Sequence, residues 1–253
     1  MLNVLLLVVT SLSTPAPCDV ALQAPPDVPS LEPNVWYGSL YDWAGGRENA
    51  PLGVGHLKLE SREDWDWWLR IEVPLYSAPD GKHWGWFVNG SIADTSVTPM
   101  GTSGMVETGY ETMSFLVLEH RSDGWLRFRY GKPAGERDGV AWTHACHIEP
   151  QGLRFESWED RFTSGEISPL TFRSAVPHSL RAGLDESSEQ IHRIAGDYHL
   201  EPLEFRGDWL RVRVTQPSDY CAGREIEVTE YEGWVRWRSS DKGPWVWYFT
   251  RGC

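Results

Sequence analysis

The sequence predicts an all-β protein, a tandem series of small antiparallel barrels behind an export signal and a proline-rich spacer. Three observations predict it. A short phrase recurs at residues 60–73 (ESREDWDWWLRIEV), 119–130 (EHRSDGWLRFRY) and 204–214 (EFRGDWLRVRV), and one residue order repeated at long spacing marks repeated modules. Inside each copy the side chains alternate with a period of two: Leu69, Ile71 and Val73 oppose Trp68, Arg70 and Glu72; Leu126, Phe128 and Tyr130 oppose Trp125, Arg127 and Arg129; Leu210, Val212 and Val214 oppose Trp209, Arg211 and Arg213. That period belongs to strands with one aliphatic face. Turn chemistry (Asp80-Gly81, Asp123-Gly124, Asp138-Gly139, Gly207-Asp208) separates the strands, and each copy is followed by a glycine-aromatic strand at Gly85-Trp86, Gly139 to Trp142 or Gly233-Trp234.

Taken in order, residues 1–13 (MLNVLLLVVTSLS) form an apolar run too short to span a bilayer and of the size of a secretory hydrophobic region, so residues 1–17 read as a signal peptide. Cys18 stands where a bacterial lipoprotein carries its lipidated cysteine, although Pro17 precedes it where a small residue is expected; an ordinary signal cleaved nearby is the alternative. Residues 18–34 read as an extended spacer, because six of the 19 residues from Pro15 to Pro33 are proline. The repeats then divide the chain into modules over 35–98, 99–175 and 176–253, with segments 153–158 and 169–173 as an added hairpin or connector. Residues 183–194 are compatible with one or two helical turns.

A formal net charge of −13 argues against nonspecific binding to nucleic acid or anionic membranes, leaving a lipid at Cys18 as the only membrane contact expected. The arginines of the last module, Arg206, Arg211, Arg213, Arg224, Arg236 and Arg238, read as a solvated strand face paired with Glu225, Glu227 and Glu230. Fifteen tryptophans, each able to bury about 150–250 Å², enlarge the small cores of such modules. Four cysteines in an exported chain imply at least one disulfide; Cys221–Cys253 is the favoured pair because it ties down the C-terminus, with Cys146 then free, and a pairing of Cys146 with either is the alternative.

Residues 177–237 bring a family into view. The run Ser179-Leu180-Arg181-Ala182-Gly183-Leu184, the serine-rich Asp185 to Ile191, then Gly207-Asp208-Trp209-Leu210-Arg211-Val212 and Gly233-Trp234-Val235 resemble a bacterial SH3 (SH3b) domain. Its LRxGP opening, serine-rich loop, GxWxxV strand and GW[VI] strand recur in that order, and Leu184 stands where proline is usual. The first two copies match only the later half of the pattern. The resemblance implies tandem SH3-like β-barrels, with the third module as an SH3b domain that attaches a protein to peptidoglycan or to a partner. In that module residues 183–194 would be a loop leading into a strand rather than helical turns.

Catalytic chemistry is not expected. His144-Ala145-Cys146-His147 offers a thiol and imidazoles, but the segment reads as strand, which points alternate residues apart and supplies no activating helix. It also offers at most three metal ligands, so no metal and no cofactor is expected. Paired acids such as Glu60 with Asp64, or Glu156 with Glu159 and Asp160, give no set separation across a sugar cleft. The aromatic positions remain: Trp209, Tyr220, Trp234 and Trp237 as the fullest set, with Trp125 and Trp68 as their counterparts, all able to hold an extended peptide or a sugar face. The expected protein is a noncatalytic, exported, periplasmic or envelope-associated binder of cell-wall glycan, peptide or another envelope protein. The alternatives are an interaction scaffold whose tryptophans pack modules together and, third, an envelope hydrolase.

Overall fold

Period-two alternation becomes strand almost wherever the sequence shows it, in a computed structural model that describes residues 17–31, 34–36, 51–59, 66–94, 99–110, 112–131, 139–165, 167, 169–220, 222, 225–239 and 243–248. The expected signal peptide, apart from Pro17, lies outside the described residues, as do Cys221 and Cys253 and hence their expected bond. The first sheet contains β1 (Asn34–Trp36), β2 (Gly55–Leu59), β3 (Glu72–Tyr76), β4 (His83–Val88), β5 (Ser91–Asp94), β6 (Pro99–Gly109), β7 (Thr112–His120), β8 (Trp125–Gly131), β9 (Gly139–His144) and β10 (Leu153–Ser157). Their spatial order is β1-β6-β5-β4-β3-β9-β8-β7-β2-β10, and β6 also pairs with β7 and β8. Through β6 and β8, the strands β3, β4, β5, β6, β8 and β9 close into a six-stranded antiparallel barrel.

This corrects the division of residues 35–175 into two barrels. Strand β5 pairs with β6 across the 98/99 boundary, and β3 pairs with β9, so both halves contribute to one cylinder. Closure removes the exposed edges that a shorter sheet would leave. Its interior holds Val73, Leu75, Phe87, Ile92, Met105, Leu126 and Phe128, all buried.

The second and third copies of the repeated phrase are the same object. Each is a hairpin continued into a third strand: β7–β8–β9, and in the second sheet β14 (His199–Arg206), β15 (Trp209–Gln216) and β16 (Thr229–Arg236). Trp125 lies opposite His144 and Arg127 opposite Trp142, as Trp209 lies opposite Arg236 and Arg211 opposite Trp234. The first copy departs: Trp67–Leu69 is a single 3-10 turn, and strand begins only at Glu72. Both indoles of the turn are buried, with Trp67 edge-on to Phe115 at 5.5 Å. The alternating strand faces expected from Trp68 to Arg70 are therefore absent there.

The second sheet contains β11 (Leu170–Phe172), β12 (His178–Arg181), β13 (Gln190–Ile194), β14 (His199–Arg206), β15 (Trp209–Gln216), β16 (Thr229–Arg236) and, after the small pair β17 (Arg238–Ser239) and β18 (Gly243–Pro244), β19 (Val246–Tyr248). Its order is β13-β12-β16-β15-β14-β11-β19. Because β11 pairs with β14 and β19, the C-terminal unit begins before residue 176.

Two short helices follow, α1 (Ala145–Ile148), which joins β9 to β10 and packs Ile148 into the first sheet's core, and α2 (Trp158–Thr163), which follows β10. Ser157 caps α2, its Oγ accepting from the Asp160 N–H at 3.0 Å. Residues 153–173 thus form a connector: β10 pairs with β2, and α2 carries Trp158 and Phe162 into a core shared with Val106, Leu116, Trp237, Trp247 and Tyr248. Trp158 meets Trp247 edge-on at 5.0 Å and donates its indole N–H to the Leu52 carbonyl at 3.0 Å.

After a 3-10 turn at Pro17–Asp19 the described proline-rich residues up to Leu31 carry no strand or helix, yet the segment is docked. Val28 is buried, Asn89 Nδ2 donates to the Val28 carbonyl at 3.0 Å, and the Ser91 hydroxyl donates to the Pro29 carbonyl at 2.8 Å. A disulfide joins Cys18 to Cys146. Cys146, expected free beside a Cys221–Cys253 pair, is thus tied to the N-terminal strap.

Removing the aromatic wedge tests this junction. Trp158→Ala should cost about 3–5 kcal/mol, the range for deleting a buried large aromatic, measured as a shift of the denaturation midpoint. A loss below about 1 kcal/mol, the level of a surface change, would show that the two sheets do not depend on that wedge.

Candidate functional site

The outer face of β15 and β16 is built by register. Trp209, Arg211 and Arg213 point away from Leu210, Val212 and Val214, and pair across the sheet with Arg236, Trp234 and Glu232. Arg213 bridges Glu201 at 2.6 Å and Glu232 at 3.2 Å, and Arg211 meets Glu232 at 3.0 Å. The solvated-face reading of these two arginines holds, with Glu201, Glu230 and Glu232 as partners in place of Glu225 and Glu227. Such exposed pairs contribute little stability.

At the Trp209–Arg236 end the face opens into a cleft of about 160 Å³ lined by Trp209, Arg236, Trp245, His178, Arg181 and Glu186. The Arg236 guanidinium lies 6.0 Å from the Trp209 ring and 5.8 Å from that of Trp245, and is held by Asp208 at 3.3 Å. Its buried Nε has no hydrogen-bond partner. Arg181 donates to the Ser188 carbonyl at 2.9 Å. His178 stacks on Phe172 at 3.5 Å, and burial pushes its pKa below the usual imidazole value.

Over both guanidiniums hangs Glu186, 3.5 Å from Arg181 and 3.7 Å from Arg236. It sits on the serine-rich loop, whose shape comes from Asp185 accepting from the Ser187 N–H at 2.7 Å and from the Ser187 hydroxyl; these bonds hold the Asp185 carboxyl below its ordinary range. An aromatic floor beside two cations suits a carboxylate joined to an apolar or ring-bearing group.

Of the six aromatic candidates, Trp209 is in the cleft. Trp234 shares the outer face but lies under Arg206, whose guanidinium is 5.5 Å from its ring. Tyr220 is half-buried and outside the cleft lining. Three others are removed from the ligand surface by burial: Trp237 is 1% exposed, Trp125 2% and Trp68 6%. Trp237 turns inward against Phe205 and Phe162, and Trp125 is covered by Tyr76 at 5.2 Å and His144 at 5.3 Å. Arg181, Glu186, His178 and Trp245 were not singled out by sequence. The LRxG opening and serine-rich loop already marked the first two positions, whereas Trp245 arrives through the pairing of β17 with β18.

A second constellation surrounds Cys146. Here the strand reading fails: α1 starts at Ala145, and His144 is its N-cap, Nδ1 accepting from the Cys146 N–H at 3.2 Å. The helical turn brings His144 Nδ1 within 3.0 Å of Cys146 Sγ, and the N-terminal strap adds Cys18. A thioether to lipid at Cys18 and a disulfide to Cys146 are mutually exclusive uses of one sulfur.

Of the candidate acids, Glu60 and Asp64 lie outside the described residues, whereas Glu156 and Asp160 have structural partners. Glu156 meets His56 at 2.8 Å and Lys58 at 2.5 Å, and Asp160 accepts from the hydroxyl of the Ser157 cap at 2.7 Å. Burial alone would raise the Glu156 pKa, but hydrogen bonds from His56 and Lys58 prevail and hold it at about 2. Burial lowers His56, with Glu156 opposing.

Compared with known proteins, the chain matches no protein-family profile and no curated protein. Its class rests on the fold alone: an all-β protein with a closed six-stranded barrel, in which no helix among the described residues is long and apolar enough to cross a membrane.

The Glu156 pair gives a pH prediction with a definite sign. A carboxyl depressed in the folded state stabilises fully above its unfolded value near 4.5 and loses that contribution as pH falls toward about 2. His56, lowered on folding, likewise favours the fold above its ordinary 6.5 and less below it. Stability should therefore fall on acidification. Glu156→Gln should flatten the decline between pH 4.5 and about 2 in denaturant titrations, and an unchanged slope would count against the pair.

Proposed function

We propose that the chain is an exported, noncatalytic binding protein whose C-terminal unit, an SH3b-type module, takes a carboxylate-bearing ligand of the cell envelope. The fitting ligands are the peptide of a cell-wall glycopeptide or an acidic segment of another envelope protein. The observation that carries this reading is the cleft in which half-buried Trp209 and Trp245 meet two guanidiniums, Arg181 and Arg236. The protein's net charge of −13 disfavours anions in general, so such a cation pair on an aromatic floor is a local exception with a purpose. Glu186 occupies the position a ligand carboxylate would take.

The scaffold reading draws on a separate observation: Trp158, Trp237 and Trp247 are buried in the core shared by the two units. The two readings part at Trp209. The full chain should be retained on purified cell wall or on an acidic peptide column, and Trp209→Ala should lose retention by about tenfold or more while its circular dichroism stays native; about 1.4 kcal/mol corresponds to a factor of ten. A variant that unfolds would favour the scaffold. Glu186→Gln should strengthen binding by about two- to fivefold, since an exposed ion pair is worth up to about 1 kcal/mol; weaker binding would mean that Glu186 belongs to the recognition surface.

A further inference from the structure

The disulfide between Cys18 and Cys146 lies against a histidine whose orientation is determined. His144 Nε2 is 2.8 Å from the Asp123 carbonyl oxygen. A carbonyl can only accept, so Nε2 carries the ring proton and Nδ1 carries the lone pair. That lone pair accepts the Cys146 N–H at 3.2 Å and lies beside the sulfurs, with Nδ1 3.0 Å from Cys146 Sγ and 4.0 Å from Cys18 Sγ, so a cation bound there takes the lone pair over from the capping bond. All three donor atoms lie within 4.8 Å of one another.

Metal-ligating histidines carry this signature, donating the distal N–H to a backbone carbonyl so that tautomer and ring plane are set before the metal arrives. The sequence builds the arrangement locally. Gly124 has a φ of +91°, and a Cβ there would come within 2.8 Å of His144 Nε2, so the Asp123-Gly124 turn both accepts the N–H and leaves room for the ring.

We propose that, once the disulfide is reduced, Cys18, Cys146 and His144 form a binding site for a thiophilic cation of the zinc type. Two electrons and two protons from a dithiol reductant convert the disulfide to two thiols, the reductant becoming a disulfide. The cation then displaces both thiol protons and takes two thiolates and one neutral imidazole, giving a site with no net charge and a fourth position open to solvent. Zinc–sulfur bonds of about 2.3 Å and zinc–nitrogen bonds of about 2.0 Å in a tetrahedron require ligand separations of roughly 3.5 Å, a value bracketed by the two nitrogen–sulfur distances. The sulfurs have to part, and Cys18 is free to do so because it is exposed on the strap. His147 stays outside the set, its Nε2 engaged by the Tyr76 hydroxyl at 3.0 Å. The site is independent of the Trp209 cleft and makes metal binding conditional on redox state.

The test uses the full chain with Cys221→Ser and Cys253→Ser, reduced with a dithiol and freed of reductant under anaerobic conditions, with cobalt(II) as probe and zinc(II) in competition. The reduced chain should bind one cobalt with a thiolate-to-metal charge-transfer band, and the oxidised chain none. Cys146→Ser should remove the band. His144→Ala should weaken zinc by about 10- to 100-fold, comparable to the loss when groups that orient metal ligands are removed. No uptake by the reduced chain, equal uptake by the Cys18→Ser/Cys146→Ser double variant, equal uptake by the oxidised chain, or an affinity indifferent to His144 overturns the proposal. So does collapse of the tryptophan near-ultraviolet signal on reduction, because the site needs the folded barrel.

Discussion

A buried guanidinium holds the molecule's two sheets in register. Arg161, on α2, is 7% exposed, and a cation so placed requires full pairing to be tolerated. Its Nε donates to the Tyr248 hydroxyl at 3.1 Å and its terminal nitrogen to the Thr108 carbonyl at 2.5 Å, while the Tyr248 hydroxyl donates to the same carbonyl at 2.9 Å. Burial pushes the Tyr248 pKa up to about 12, opposed by Arg161, so the phenol stays neutral and serves as both donor and acceptor. Three chain segments, β6, α2 and β19, meet at this one polar point. The indoles of Trp158, Trp237 and Trp247 belong to the core that Tyr248 shares.

From that arrangement follows the division of labour among the tryptophans. Trp125 and Trp209 hold equivalent places in equivalent meanders, yet only one faces a cleft. The barrel closes beside Trp125, where β3 pairs with β9 at Tyr76 and Trp142 and brings the Tyr76 ring onto the indole. In the second sheet the neighbour beyond β16 is β12, which carries Arg181 to the same region and leaves Trp209 half-buried. The residue opposite the repeated tryptophan is His144 in one copy and Arg236 in the other. Both candidate sites therefore arise at the same point of the repeat, and the side chain opposite the indole decides their chemistry.

Much of this was legible from residue order. The hairpins of the second and third copies, the strands containing Gly85, Gly139 and Gly233, the turn role of Asp123 and the outward face of Trp209 all follow from local alternation and turn preference. The 3-10 turn at Trp67–Leu69 did not, because two large indoles gain more by entering the barrel end than by extending a strand. Nor did the helix at Ala145, which cancels the strand rule that would separate His144 from Cys146.

The sequence by itself determined strand, turn and repeat, since each depends on neighbours a few residues apart. It also determined the tryptophan-and-arginine face of the second and third copies, because a period of two places those residues together in any strand. Only the tertiary structure decided that β3, β4, β5, β6, β8 and β9 make one barrel, that Cys18 meets Cys146 and that Trp68, Trp125 and Trp237 are covered. Closure and burial are set by partners far apart in the chain, which no local pattern encodes: β5 with β6 across the repeat boundary, Tyr76 over Trp125, and a strap tied 128 residues away.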